Sequence, residues 1–524
     1  RLVEILAQKI RKQVHIRIIG DYDVDGVTSS HLFLTALRRV GAKVDVVIPH
    51  RIQDGYGLSL HLLQQAKEDG VDTILTCDNG IAAIDEIAWA KAQKMTVLVT
   101  DHHAVPFEEH EGRRTEKKSL ADAVVNPHQQ DCGYPYKELC GAGVAWNVIR
   151  VLYENYDMDK REAEDLLDFV AMATVCDVMS LTGENRILVK EGLKRIRHTK
   201  NIGLQALMQA CNVQPENISA YHFGYVLGPC VNATGRLDTA RHALRLFETG
   251  QETEAEEIAR DLVDLNQERK ELTLQGVEMA KKLCEEGGYE NDPILVLFLP
   301  DVHESIAGLI AGRIREMYNR PVFVLTRGEE GVKGSGRSTE NYSMYENMCG
   351  CAELFTKFGG HPMAAGLSLP EENVEKFRRK INENCPLTVE EVCPDIHIDM
   401  AMPVGYASTE LVHQFALLEP FGKDNPSPLF ADRNLSISRM WVIGKNRNVL
   451  RMSVLSEYGQ PVPVIFFGDV ETLFAYFTEK FGQEEVENAL HGRKNRILFS
   501  MVYTAKIDFY QGNENLQLEM KYYR

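Results

Sequence analysis

The sequence predicts an α/β protein: a parallel-sheet domain, a long connecting helix, a second α/β domain and a small C-terminal β-barrel. Three observations carry this. Short β-branched runs alternate with helical stretches through residues 14–150. A charged segment at 254–286 holds no Pro and a single Gly, as a long helix requires. From about residue 390 the pattern turns β-rich. The expected domains are 1–185, a helical region with the connecting helix at 186–290, 291–388, and 389–524.

Each element follows from its residues. "RLVEILAQKIRKQ" reads as an amphipathic, charged helix rather than a secretory signal. "HIRIIG" (15–20) is a strand, and Phe33, Ala36, Leu37 and Val40 then recur at helical spacing. "AKVDVVI" (42–48), "DTILTC" (72–77), "TVLVT" (96–100) and "DAVVN" (122–126) are further strands separated by helices. Repeated βα units imply a parallel, doubly wound sheet. Residues 155–285 are mostly helical. Residues 292–380 return to α/β with strand "PILVLFL", helix "SIAGLIAGRIREMY", strand "PVFVLT" and a Gly-rich turn, "KGSGRS". Near the end Leu516, Leu518, Met520 and Tyr522 alternate with polar residues, the mark of a half-buried strand. Several such strands in about 130 residues suggest a small barrel or sandwich.

The totals narrow the class. A chain of 524 residues is too long for one core. It is 44% hydrophobic and 26% charged, as in ordinary globular proteins, and no apolar run approaches the ~20 residues needed to cross a bilayer. Eleven cysteines, an odd number without a C-x-x-C pair, argue against a disulfide framework and for a reducing cytoplasm. Cys349 and Cys351 are the closest pair, but no second pair completes a zinc site. The net charge of −18, taken alone, disfavours a nucleic-acid partner. Two things would answer that objection: acidic ligands neutralised by metal, and a local basic groove.

"IIGDYDVDGVTSS" (18–30) places Asp21, Asp23 and Asp25 straight after an apolar strand. A calcium loop also begins D-x-D-x-D-G, but its twelfth position must be Glu and here is Leu32. Other strand ends repeat the theme. "TILTCDNG" ends in Asp78, and "TVLVTDHH" ends in Asp101, His102 and His103. A later apolar helix, "DFVAMATVCDVMSL", delivers Asp177. One such Asp alone is an ordinary helix N-cap. In an open parallel sheet, however, ligands bind beyond the carboxyl ends of the strands, so these groups converge. Carboxylates with an imidazole suit manganese or magnesium better than zinc. Two divalent ions ~3.5–4 Å apart can activate water and clamp a phosphoryl group.

These residues resemble the DHH phosphoesterase superfamily, whose triplet stands here as Asp101-His102-His103. Within it the chain is similar to the RecJ family of exonucleases. "GDYDVDGVT", "IPHRIQDGYGLS", "CDNGI", "TDHH", "VVNPHQ", "LCGAGVAW", "ATVCDVMSL", "VNATGRLDTA", "HESIAGLIAGRI", "GSGRS", "FGGHPMAAGLSL" and "EPFGKDNPSPLF" match its blocks in order. The resemblance implies a DHH domain, a DHHA1-like substrate-binding domain and an OB-like barrel. It implies two Mn2+ (or Mg2+) ions held by Asp23, Asp25, Asp78, His102 and Asp177, with Asp21 as a ligand or a group behind them. His103 would donate a hydrogen bond or proton at the scissile phosphate, and Asp101 would orient it. Arg236, Arg313, Ser335, Arg337, Ser338 and His361 would hold substrate phosphates, the "GSGRS" backbone N–H groups serving as an anion cradle. Lys445, Arg447, Arg451, Tyr503 and Tyr510 are candidates for a nucleic-acid face on the barrel, with core packing the first reading of the aromatics.

Family members carry a longer segment ahead of the first motif, whereas twenty residues precede Asp21 here and the first is Arg rather than Met. The chain is expected to be trimmed or a shorter member. The resemblance implies 5′→3′ hydrolysis of single-stranded DNA to 5′-mononucleotides in recombination and repair, with a helicase or single-strand-binding protein as partner. Hydrolysis of short oligonucleotides or cyclic dinucleotides is the alternative enzyme. A non-catalytic replication scaffold is the alternative of another class, opposed by the intact set of carboxylates.

Overall fold

The computed structural model describes residues 1–524 apart from 52–53, 55–56, 111–112, 290, 329–330, 393–394, 445–446 and 511–512. It divides into two compact units, Arg1–Asp395 and Ile396–Arg524.

The first unit opens with helix α1 (Leu2–Arg11), then strand β1 (Ile16–Ile19) and helix α2 (Val24–Arg39). β2 (Val44–Val47), α3 (Leu60–Glu68), β3 (Thr73–Cys77), α4 (Ile84–Ala92) and β4 (Thr96–Thr100) follow. A small antiparallel hairpin, β5 (Phe107–His110) and β6 (Arg113–Glu116), precedes β7 (Ala123–Val125). The main sheet has the order β2-β1-β3-β4-β7, and every pairing in it is parallel. Both faces are covered, as the unbroken apolar runs require. Ile16, Ile18, Leu75, Cys77 and Leu98 pack with α1, α2 and α5 (Gly141–Asn155), while Ile19, Ile74, Val97 and Val99 pack with α3 and α4. The expected strands are all present, each shorter than its apolar run or equal to it.

Helices then dominate: α6 (Leu167–Cys176), α7 (Gly183–Ile196), α8 (Ile202–Ala210), the short α9 (Ala220–His222), a π-helical turn (Phe223–Leu227), α10 (Gly228–Leu237) and α11 (Ala240–Glu248). The connecting helix α12 runs unbroken over Glu252–Glu286. Its first turns bury Ala255, Ile258, Ala259 and Leu262 in the core of the first sheet domain. Its last turns bury Val277, Ala280 and Cys284 in a second core, with β8 (Leu295–Phe298) and α13 (Glu304–Tyr318).

That second sheet has the order β11-β12-β10-β9-β8, from β9 (Val322–Gly328), β10 (Gly331–Arg337), β11 (Lys357–His361) and β12 (Ala364–Leu369). Here the structure corrects the sequence reading. "KGSGRS" lies mostly in β10, a central strand paired antiparallel to both β9 and β12, and is not a turn. Its N–H groups therefore sit within the ladder and do not form an anion cradle. Packing overrides glycine's poor strand propensity. A Cβ on Gly334 would lie 2.4 Å from Leu325 Cδ2, and one on Gly336 would lie 2.5 Å from Met344 Sδ and 2.7 Å from Phe323 Cε1. Val332, Gly334 and Gly336 thus close onto the core, and Lys333, Ser335 and Arg337 take the opposite face.

The second unit is a six-stranded sheet ordered β13-β14-β15-β16-β18-β17, and an additional β14–β17 pairing closes it into a barrel. Its strands are β13 (Met400–Ala401), β14 (Phe430–Ile443), β15 (Val449–Leu455), β16 (Pro461–Phe467), β17 (Leu498–Tyr510) and β18 (Asn513–Tyr523). Tyr503 is fully buried and donates to the Met402 carbonyl at 2.8 Å, which makes it the core aromatic that was its first reading and not part of a nucleic-acid face. One expectation fails here. In β18, Leu518 and Met520 point inward but Tyr522 is 47% exposed. The register shifts so that Tyr503 pairs with Met520 while Val502 pairs with Tyr522, leaving Lys521 as an extra residue. Such a bulge inverts the alternation beyond it, and Tyr523 packs on the core instead. Arg447 and Arg451 are exposed. Lys445 and the Tyr510 side chain lie outside what is described.

Gly336→Val is expected to destabilise the protein by about 1–3 kcal/mol, the usual cost of overpacking a core. Denaturant midpoints measure this, and an unchanged midpoint would contradict the assignment of Gly336 to the core face.

Candidate active site

The first three carboxylates follow β1 directly. Asp23 caps α2, with one oxygen accepting from Gly26 N at 2.9 Å, so the ordinary capping role is real but uses only one of its atoms. Asp25 accepts from Gly141 N at 2.5 Å and Ala142 N at 2.7 Å, at the N-terminus of α5, where the helix dipole favours an anion. Asp78 follows β3 with φ +61°, in the left-handed region that Asp tolerates better than most residues. Gly141 is needed beside it, because a Cβ there would lie 2.6 Å from Asp78 Cβ. Asp177 ends α6, and the next residue, Val178, has φ +54°. A β-branched residue in that region is strained, and strain of this kind collects at functional sites.

These groups meet. His102 Nε2 lies 3.0 Å from Asp78 Oδ1 and 3.6 Å from both Asp25 Oδ2 and Asp177 Oδ2. Three sets of possible ligand atoms each fall within 4.8 Å of one another: Asp78, His102 and His103; Asp25, His102 and Asp177; Asp21, Asp23 and Asp78. Asp21 Oδ1, Asp78 Oδ1 and His102 Nε2 are buried and make no hydrogen bond of acceptable geometry. Buried polar atoms are rarely left so unless a cation or water joins them. Burial, then Asp23, pushes the Asp21 carboxyl well above its ordinary range. Burial, then Asp25, Asp23 and Asp177, does the same to Asp78. Burial holds His102 below its usual value, in the neutral form that ligates metal. The donor set, oxygen-rich with one imidazole, fits two hard divalent cations.

Asp101 and His103 form a separate pair. Asp101 Oδ1 lies 2.7 Å from His103 Nδ1 and also accepts from the His102 and His103 amides, while Oδ2 accepts from Ile81 N at 2.9 Å. Burial pulls the His103 imidazole down, but the Asp101 hydrogen bond and charge, with the Asp177 and Asp25 charges, together outweigh it and raise the group to about 9. His103 is therefore cationic at neutral pH.

Facing the carboxylates across a cleft of about 410 Å3 are Arg51, Arg236 and Arg337, together with Tyr22 and Asn232. Arg236 is pulled down to about 10 by burial and by the neighbouring Arg51, Arg269 and Arg337. Arg337 is lowered by burial, Arg51 and Arg315. This is a crowd of like charges in an acidic protein. Arg236 donates to the Ser305 carbonyl at 2.5 Å, tying α10 to α13. The Arg51 guanidinium lies 4.8 Å from the centre of the Tyr22 ring. These two residues also line an adjoining cleft of about 390 Å3 with Lys333, Ser335, Lys357 and Phe358.

Of the other sequence candidates, Ser338 is buried and donates to the Tyr342 carbonyl. Arg313 is exposed on α13 near Arg269, and His361 is exposed at the end of β11; neither lines these clefts. Sequence reasoning passed over Arg51, Tyr22 and Asn232. The block holding Arg51 was visible, but a lone Arg in a loop carries no spacing signal.

Family comparisons agree with this geometry. The DHH family N-terminal domain matches residues 15–174, the DHHA1 domain 291–385, and the RecJ OB domain 398–522. Carboxylates and an imidazole gathered at the strand ends of a DHH domain, faced by a DHHA1 domain, define a metal-dependent phosphoesterase of the DHH class. Within that class the chain belongs to the RecJ family of single-stranded-DNA-specific exonucleases. It is 33% identical over 541 residues to RecJ of Haemophilus influenzae, covering 99% of this chain and 89% of that one. It is 34% identical over 459 residues to RecJ of Bacillus subtilis, covering 87% of this chain and 56% of the longer relative. The crystal structure of Thermus thermophilus RecJ in complex with Mn2+ superposes with a TM-score of 0.81 at 25% identity, over all of this chain and 71% of that one.

Mn2+ is expected to raise the thermal midpoint of the wild type, since a ligand at a hundred times its Kd adds about 2.7 kcal/mol. Asp78→Asn should leave the metal-free protein no less stable and abolish the Mn2+ response. Thermal unfolding with titrated Mn2+ reads both, and a full Mn2+ response in Asp78→Asn would refute the ligand assignment.

Proposed function

We propose that the chain is a metal-dependent 5′→3′ exonuclease that releases 5′-mononucleotides from single-stranded DNA. The observation that carries this is one cleft lined by Asp21, Asp23 and Asp177 and also by Arg51, Arg236 and Arg337. Arginine forks bind phosphate in a bidentate fashion, and three crowded together favour a terminal phosphate, which carries more charge than an internal diester. A terminal phosphate held there leaves the first diester at the carboxylates, which makes the enzyme an exonuclease and its product a mononucleotide.

Two ions held by Asp21, Asp23, Asp25, Asp78, His102 and Asp177 would supply charge neutralisation and an activated water. The chain's own residues do the rest. His103, oriented by Asp101 and cationic, donates to a phosphate oxygen. Arg51, Arg236 and Arg337 fix the strand's end, and Lys333, Ser335 and Lys357 extend the cationic lining. Tyr221 and Tyr225 are stacked 5.1 Å apart, 62% and 71% exposed, just ahead of α10, and offer a surface for bases. On the barrel, exposed Arg451 stands opposite Trp441 on neighbouring strands, a cation beside an aromatic ring that suits single-stranded nucleic acid. The family's substrate supports a place in recombination and repair in the cytoplasm, with a helicase or single-strand-binding protein exposing the DNA. Among the described residues no helix is long and apolar enough to cross a membrane.

Single strands labelled at either end, digested with Mn2+, should lose the 5′ end first, and chelator should stop the reaction. Loss from the 3′ end, or turnover of dinucleotides alone, would overturn the proposal. Arg337→Ala should raise KM for 5′-phosphorylated strands about tenfold or more and erase any preference over 5′-hydroxyl strands; an intact preference would remove Arg337 from the phosphate site.

A further inference from the structure

Cys211, the residue that ends α8, and Cys230, on α10, are nineteen positions apart, yet their sulfurs lie 3.8 Å from each other. Cys230 is 2% exposed, whereas Cys211 is partly open to solvent. Around Cys230 Sγ, Asn266 Nδ2 of α12 donates at 3.3 Å, and the thiol itself donates to the Val226 carbonyl at 3.2 Å. α10 is the helix that serves the cleft. Two residues beyond Cys230, Asn232 Oδ1 accepts from Val24 N at 3.1 Å, at the start of α2 and next to Asp23. One turn further on, Arg236 reaches the cleft.

We propose that Cys211 and Cys230 form a dithiol site that hydrogen peroxide oxidises to a disulfide, and that this oxidation disables the cleft through α10. Cys211 is the attacking sulfur because it is the one that a small oxidant can reach. The Cys211 thiolate attacks a peroxide oxygen: an S–O bond forms, the O–O bond breaks, and the hydroxide that leaves takes up a proton as water. The Cys230 thiol then attacks the Cys211 sulfur: an S–S bond forms, the S–O bond breaks, and the departing hydroxide takes the Cys230 proton. In sum, two thiols lose two electrons and one peroxide becomes two waters. Sulfurs 3.8 Å apart must close to about 2 Å, and on this proposal part of that closure is a shift of α10 against α8, of a size that matters to hydrogen bonds near 3 Å. Asn232 and Arg236 move with α10.

The test treats the metal-free full chain with hydrogen peroxide, removes the oxidant, and then adds Mn2+ and single-stranded DNA. The expected result is a Cys211–Cys230 cross-linked peptide, loss of two titratable thiols, and at least a tenfold loss of nuclease activity that dithiothreitol reverses. Cys211→Ser should be as active as the untreated wild type and keep its activity after peroxide. The cross-linked peptide is read without any activity, so its appearance stands apart from the functional reading on which the nuclease assay rests. Absence of that peptide, full activity of the cross-linked protein, or equal peroxide loss in Cys211→Ser would each overturn the proposal.

Discussion

Five carboxylates and an imidazole are forced into one buried crevice, and that repulsion governs the rest of the structure. Desolvating each carboxylate costs several kcal/mol, and mutual repulsion adds to it. The fold tolerates this by spreading the burden. Asp25 rests on the start of α5, Asp23 is partly satisfied as a cap, and Asp101 is withdrawn to hold His103. The oxygens of Asp21 and Asp78 that stay unpartnered are where positive charge is missing. The doubly wound sheet exists, in functional terms, to bring the ends of β1, β3 and β4 to one edge.

Guanidiniums from the loop after β2, from α10 and from β10 answer with the opposite sign. Arg51, Arg236 and Arg337 face the acids, and burial together with like-charged neighbours lowers both Arg236 and Arg337. On the proposed reading, a strand of phosphates between metal and guanidinium would satisfy both sides at once. This resolves the conflict between a net charge of −18 and a nucleic-acid substrate. Bulk charge describes the whole surface, whereas recognition depends on the few cations that line the cleft.

The residues that were legible in the sequence are those whose pattern is local. β-branched runs ending in Asp marked β1, β3 and β4, and the ordered motifs carried the family. What was not legible depends on tertiary partners. Gly334 and Gly336 read as a turn because only Leu325, Met344 and Phe323, on other elements, explain their small size. Tyr522 read as inward because a single extra residue, Lys521, breaks the alternation in a way no composition signals. Arg51 and Asn232 sit in segments without periodicity, and Cys211 and Cys230 meet only because two helices pack. Ser338 matched a motif, yet in the structure its hydroxyl is bonded to a neighbouring carbonyl.

α12 has the character of a ruler. At 35 residues it is about 50 Å long, with one end rooted in the core beneath the acids and the other in the core beneath the second sheet. Inserting one residue near its middle would turn the far end by about 100° and push it out by about 1.5 Å. Arg236 and Arg337, which come from opposite ends of that span, would no longer face the same phosphate. The length of this helix therefore sets the cleft as directly as the residues that line it.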